Sequence, residues 1–200
     1  MFKTLALLSL VAAAYAAPVE DLVDSLPDMN GGNPFPFKTY SGYLSVAGTT
    51  RNLHYFYVES QKNPSNDPLV VWFNGGPGCS SMLGLLTEHG PYVMENEGTA
   101  FHANDYSWNK EVNMLYIESP AGVGFSYYTE EDDYNYTDAG VAQENMKALI
   151  YFLVFKFPEL QTNDLYLSGE SYAGIYVPTL AYAINDYNQA AKQQAEETNA

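Results

Sequence analysis

Between Leu165 and Pro178 the chain reads LYLSGESYAGIYVP. A short apolar run ends at Gly169, Ser171 stands between Glu170 and Tyr172, and Ala173-Gly174 leads into a run with helical character. Small residues two before and two after a serine suit a nucleophile elbow. There a strand bends sharply into a helix and lifts the hydroxyl off the sheet, and bulk on either flank would collide. Ala173 holds the second small position, where glycine is usual. The first N–H groups of the following helix would face negative charge on an attacked carbonyl oxygen. A serine in such a bend also serves as a plain helix N-cap, so the motif needs support.

Support comes from WFNGGPGCSS, residues 72–81. Consecutive glycines after an apolar run let bare backbone approach a substrate closely. The N–H groups of Gly76 and Tyr172 together would make an oxyanion hole. The glycines alone would be a tight turn, but both motifs fall at strand ends of one alternating pattern, which favours the chemical reading. Cys79 is the single cysteine, either a free thiol, a small buried hydrophobe or half of a bridge to a partner elsewhere.

The elements that must position these residues follow from the apolar patterning. Residues 28–36 (DMNGGNPFP) read as a Gly/Pro-rich entry loop. YSGYLSVAG and LHYFYVES read as a strand pair joined through Gly48-Thr49-Thr50. DPLVVWF and VNMLYIES are continuous apolar runs, as in strands buried on both faces. Ser80-Ser81 can cap a helix from Met82 to about Glu88. Ala142, Met146, Leu149 and Leu153 repeat at helical spacing within 137–157, and Pro158 ends that helix. LYLSG is a further strand, with a helix beginning after Ser171. Buried strands alternating with helices predict an α/β fold with a mostly parallel sheet, whose sites lie at the carboxyl ends of the strands. The polar tail from Asn185 adds no strand, as though the architecture stops part-way.

Composition narrows the class. With 46% hydrophobic and 15% aromatic residues, the 200-residue chain is neither disordered nor fibrous. Lys3, the apolar run from Leu5 to Ala13 and the small residues around Ala14-Tyr15-Ala16 have the layout of a secretory signal peptide over 1–17, leaving 18–200 as the mature part. The run is too short to span a bilayer. A net charge of −16 repels nucleic acid and anionic membranes. Asn135-Tyr136-Thr137 is an N-glycosylation sequon. No spacing suggests a metal or other cofactor.

VVWFNGGPGCSSMLGLLTEHGP, YSWNKEVNMLYIESPAGVGFSY and LYLSGESYAGIYVPTLA resemble the serine carboxypeptidases, a branch of the α/β-hydrolases, from about Pro34 to Asp186. The resemblance implies Ser171 as nucleophile and the amides of Gly76 and Tyr172 as the oxyanion hole. It implies Asn74, Gly75, Glu88 and Glu170 as the group holding the free carboxylate of a peptide. Two adjacent glutamates resist double ionisation, so one keeps a proton and can donate it to a substrate carboxylate. Terminal-residue hydrolysis best at acidic pH is therefore expected. The resemblance also pairs Cys79 with a cysteine beyond residue 200, and points to a secretory-pathway destination, lysosome- or vacuole-like or extracellular.

His54, His89 and His102 all precede Ser171, whereas α/β-hydrolases order the triad as Ser, acid, His. All three histidines are therefore expected to be structural or on the surface, His54 in a strand-like run and His102 in a polar loop. The expected protein is the N-terminal part of a carboxypeptidase, acting on peptides or proteins with a free C-terminus, with a homodimer open for a complete polypeptide. Two other readings stand beside it: an acyltransferase or esterase on the same scaffold, and a non-catalytic secreted regulator.

Overall fold

The computed structural model describes residues 17–26, 35–95, 98, 100–130 and 135–198. The signal segment up to Ala16 and most of the entry loop lie outside these residues. Strands β1 (Thr39–Ser45), β2 (Asn52–Val58), β3 (Leu69–Phe73), β4 (Tyr92–Glu95), β5 (Ala100–Ala103), β6 (Asn113–Ile117) and β7 (Leu165–Gly169) combine with helices α1 (Asp138–Tyr151) and α2 (Ala173–Thr198). The main sheet has the order β1-β2-β6-β3-β7. Its β6, β3 and β7 run parallel, while β1 and β2 extend it in antiparallel fashion.

Alternation within the apolar runs explains why they are continuous. Tyr55, Tyr57, Val71, Phe73, Leu115 and Ile117 face one layer, with α1, α2 and the aromatic pair Phe152 and Phe157. Phe56, Val58, Trp72, Met114 and Tyr116 face the other, against Leu85. Each fully buried side chain of this size contributes about 1.5–3 kcal/mol. α1 starts at an N-cap, where Thr137 Oγ1 accepts from the Gly140 N–H at 3.1 Å. Beyond Tyr151 it widens into a π-helical turn, Phe152–Lys156, before Pro158. The predicted helix after Ser80-Ser81 is present but turns π-helical over Gly84–Glu88.

Two expectations change. His102, expected in a polar loop, lies in β5, which among the described residues pairs with β4 in a short hairpin. β7, read as one more strand of buried character, is an edge strand whose Leu165 and Tyr166 are exposed. The polar tail continues α2 as helix to Thr198. Among the described residues no helix is long and apolar enough to cross a membrane.

Candidate active site

Strand register assembles the site. Phe73 pairs with Gly169, so the residues just past them, Asn74 and Glu170, are neighbours. Trp72 pairs with Tyr116, which brings Glu118 at the end of β6 to the same rim. The carboxyl ends of three parallel strands thus present Glu118, Asn74 and Glu170 side by side, the place such sheets use for ligands.

At Ser171 the backbone turns left-handed, with φ 54°, the one positive φ at a non-glycine residue among those described. This conformation costs energy for any residue with a side chain, and it aims the exposed hydroxyl away from the sheet. Turn bonds carry β7 into α2: Glu170 N–H donates to Phe73 O (3.2 Å), Ala173 N–H to Glu170 O (2.9 Å) and Gly174 N–H to Ser171 O (2.9 Å). The small flanks have a direct cause. A Cβ on Gly169 would lie 2.4 Å from the Phe73 carbonyl oxygen and 2.5 Å from the Ala173 Cβ, so these positions pack against each other and leave no room for a side chain at Gly169.

Gly75 sits against the same bend. A Cβ there would be 2.6 Å from Tyr172 N and 2.8 Å from Ser171 Cβ. Gly76 follows at φ 110°, and Gly76 through Cys79 form an exposed loop. Among the described residues the N–H groups of Gly76 and Tyr172 have no acceptor, which leaves both able to meet an oxyanion beside Ser171.

Next to this lies a carboxyl cluster. Asn74 is buried, and its Nδ2–H donates to Glu170 Oε1 at 3.0 Å. Glu88 lies close enough to feel both residues. Partial burial pushes Glu88 above the ordinary carboxylate range, the charge of Glu170 adds to this, and the nearby Asn74 amide offsets part of it. The sequence-predicted group Asn74, Gly75, Glu88 and Glu170 is therefore brought together beside Ser171.

Residues outside that prediction complete the site. Trp72, which also fills the core, donates its Nε1–H to Asn74 Oδ1 at 2.8 Å, and Gly84 N–H donates to the same oxygen at 3.1 Å. Ser81 accepts from Asn74 N–H (3.2 Å) and donates to Ile117 O (2.6 Å). Glu118 was not singled out, although it follows an apolar strand at the offset that Asn74 and Glu170 share.

No histidine contacts Ser171 among the described residues. His54 Nδ1 meets Glu118 Oε2 (3.0 Å) and its Nε2 meets Ser41 Oγ (2.8 Å). His89 is stacked on Trp108 and held by Tyr116, and His102 pairs with Glu95 in the β4–β5 hairpin. Cys79 is an exposed free thiol among these residues, and Asn135 is exposed just before α1. A cavity of about 490 Å³ lined by Val19, Leu22, Phe35, Phe37, Lys38 and Tyr40 lies elsewhere and contains no residue of this site.

A parallel sheet core, a serine raised on a strand-to-helix bend and a glycine loop beside it define an α/β-hydrolase. The sequence model of peptidase S10, serine carboxypeptidase, matches residues 27–199, and the chain belongs to the serine carboxypeptidase family. It is 50% identical over 180 residues to the lysosomal protective protein of Mus musculus, an alignment that covers 90% of this chain and 37% of that protein. With serine carboxypeptidase-like 20 of Arabidopsis thaliana it shares 46% identity over 188 residues, again 90% of this chain and 37% of the relative. The crystal structure of a prohormone-processing carboxypeptidase from Saccharomyces cerevisiae superposes with a TM-score of 0.73 at 28% identity, covering 87% of this chain and 40% of that one. The chain thus spans little more than a third of the length of these curated relatives.

Proposed function

We propose that this chain carries the nucleophile and the carboxylate-recognition group of a serine-type carboxypeptidase. The observation that carries the reading is the Asn74–Glu170 bond, with Glu88 alongside, directly beside the Ser171 bend. A peptide's terminal carboxylate docks on the Asn74 amide, the Gly75 backbone and whichever of Glu88 and Glu170 holds a proton. That places the last peptide carbonyl over Ser171. The Oγ–C bond forms as the hydroxyl proton passes to a base, and Gly76 and Tyr172 N–H groups receive the oxyanion. The C–N bond then breaks, the leaving amine takes the proton, and water hydrolyses the acyl-Ser171 ester. In this reading the base is a histidine, oriented by an acid, from outside these 200 residues, since the three histidines present are engaged elsewhere.

The same reading places the protein in the secretory pathway, in a lysosome- or vacuole-like lumen or outside the cell, after removal of residues 1–17. It puts a glycan on exposed Asn135 and a disulfide partner for Cys79 outside the chain. Binding is the direct test. An N-blocked dipeptide with a free C-terminus, titrated at pH 5, should shift the side-chain amide signals of Asn74 and the backbone signals of Gly75 and Glu170. The same dipeptide as its C-terminal amide should not. Equal responses to the two ligands would remove the carboxypeptidase reading.

A further inference from the structure

Glu118 is fully buried, yet it is a carboxylate at the end of a strand. A buried charge is costly unless donors surround it. Three do: His54 Nδ1–H at 3.0 Å, Phe125 N–H at 2.8 Å and the Ser80 hydroxyl. Burial pushes the group up, but these hydrogen bonds outweigh it and hold Glu118 below the ordinary carboxylate range. The turn that aims Phe125 N–H has Gly124 at φ 54°, where a Cβ would run into the carboxylate itself.

The three donors come from different parts of the fold. Ser80 lies at the far end of the glycine loop, His54 is on β2, and Phe125 is in the loop after β6. The glycine loop is otherwise tied down by Ser81 to β6 and closed on itself by Cys79 N–H to Gly75 O at 3.0 Å. Its exposed stretch, Gly76 through Cys79, is therefore as firm as the anchors on either side of it.

We infer that Glu118 is a positioning residue: with His54 and Ser80 it holds the Gly75–Ser81 loop so that the Gly76 N–H stays beside Ser171. The inference rests on the role given to Gly76 above. His54 serves as a hydrogen-bond donor in this arrangement. Its second nitrogen faces the Ser41 hydroxyl, which can accept or donate, so the Nδ1–H···Glu118 bond survives either protonation state of the ring. Ser41, His54 and Glu118 have a Ser–His–acid layout, but Ser41 sits within β1 opposite Phe56 and not on a strand-to-helix bend that would raise its hydroxyl off the sheet.

Hydrogen exchange tests this without requiring turnover. The Asn74, Cys79, Met82 and Phe125 amides are each protected by a hydrogen bond in or beside the loop. In E118Q and H54L they should exchange about tenfold faster or more, while the β3 amides of Leu69–Phe73 keep their protection. H54N, whose amide can replace the Nδ1–H donor, should stay within about twofold of the parent. S80A removes a partly exposed hydroxyl that also accepts from Met82 N–H, so it guards against misfolding and should loosen the Asn74, Cys79 and Phe125 amides to a smaller degree. Unchanged loop exchange in E118Q and S80A, or acceleration shared equally by β3, would overturn the inference. Failure of the dipeptide to bind alongside the expected exchange pattern would count against the proposed function instead.

Discussion

The Asn74 amide bridges β3 and β7 by donating to Glu170 Oε1 at 3.0 Å, and it cannot flip. Its oxygen is already taken by two donors, the Trp72 indole N–H and the Gly84 backbone N–H. Its amide nitrogen is thereby kept on the side of the Glu170 carboxyl. Trp72→Phe keeps the ring packing but deletes one of the two locks. The variant should bind a C-terminal carboxylate about 5–10-fold more weakly and lose about 1–2 kcal/mol of stability, from one buried hydrogen bond. Calorimetric titration and urea unfolding measure the two effects. Undiminished affinity would mean that the indole has only a packing role.

The carboxyl pair sets the direction of the pH dependence. Glu88 is raised by its burial and then by the charge of Glu170, so it keeps its proton to a higher pH than an ordinary carboxyl does. Below that raised value a carboxyl hydrogen can be donated to a ligand carboxylate, and above it the anion repels the ligand. Affinity should therefore fall as pH rises through the raised Glu88 value. In E170Q the glutamine donates at every pH and the neighbouring charge is gone, so the profile should flatten. A steep fall retained in E170Q would assign the titration to some other group.

Two glycines near Ser171 should respond in opposite ways. Gly75→Ala forces a methyl to 2.6 Å from the Tyr172 nitrogen, a backbone contact that no side-chain rotation relieves. It should cost about 1–3 kcal/mol and disturb the bend. Gly174 lies in the first turn of α2 with nothing within 4 Å of an added Cβ. Gly174→Ala should stabilise by about 0.4–1 kcal/mol. Thermal melts of the pair decide it, and equal effects would refute the packing argument at Gly75.

How much of this was legible beforehand depends on what each residue's neighbours are. The bend at Ser171 could be read because Gly169 and Ala173 pack on each other, a requirement confined to five consecutive residues. The faces of β3 and β6 could be read because apolar runs without alternation must be buried twice. β7 shares that composition yet lies at the sheet edge, since a run records strand character and not the number of its partners. Four-residue strands such as Tyr92–Glu95 and Ala100–Ala103 are too short and mixed to signal a period. The helix beyond Asn185 rests on the propensity of alanine, glutamine, lysine and glutamate rather than on a buried stripe. Glu118 and Trp72 escaped because their roles arise from partners dozens of residues away or from a side chain doubling as core.

His89 provides the last prediction. Its ring lies 4.3 Å from that of Trp108 at 21° and 4.2 Å from Trp72 at 72°, with the Tyr116 hydroxyl 3.1 Å from Nδ1. Its Nε2 is buried without a partner among the described residues. Burial lowers the imidazole from 6.5 to about 4, so the folded protein keeps it neutral where the unfolded chain takes up a proton. The contribution to stability is complete above 6.5 and is lost as pH falls toward about 4, with no further loss below. The limiting slope in that window is about 1.4 kcal/mol per pH unit. His89→Phe cannot titrate, but it leaves the Tyr116 hydroxyl unpartnered, so it should be less stable than the parent at pH 7. At pH 5 the gap should narrow by about 1–2 kcal/mol, because only the parent has weakened. Urea unfolding at the two pH values gives the comparison, and a gap of constant size would mean that His89 does not change charge on unfolding.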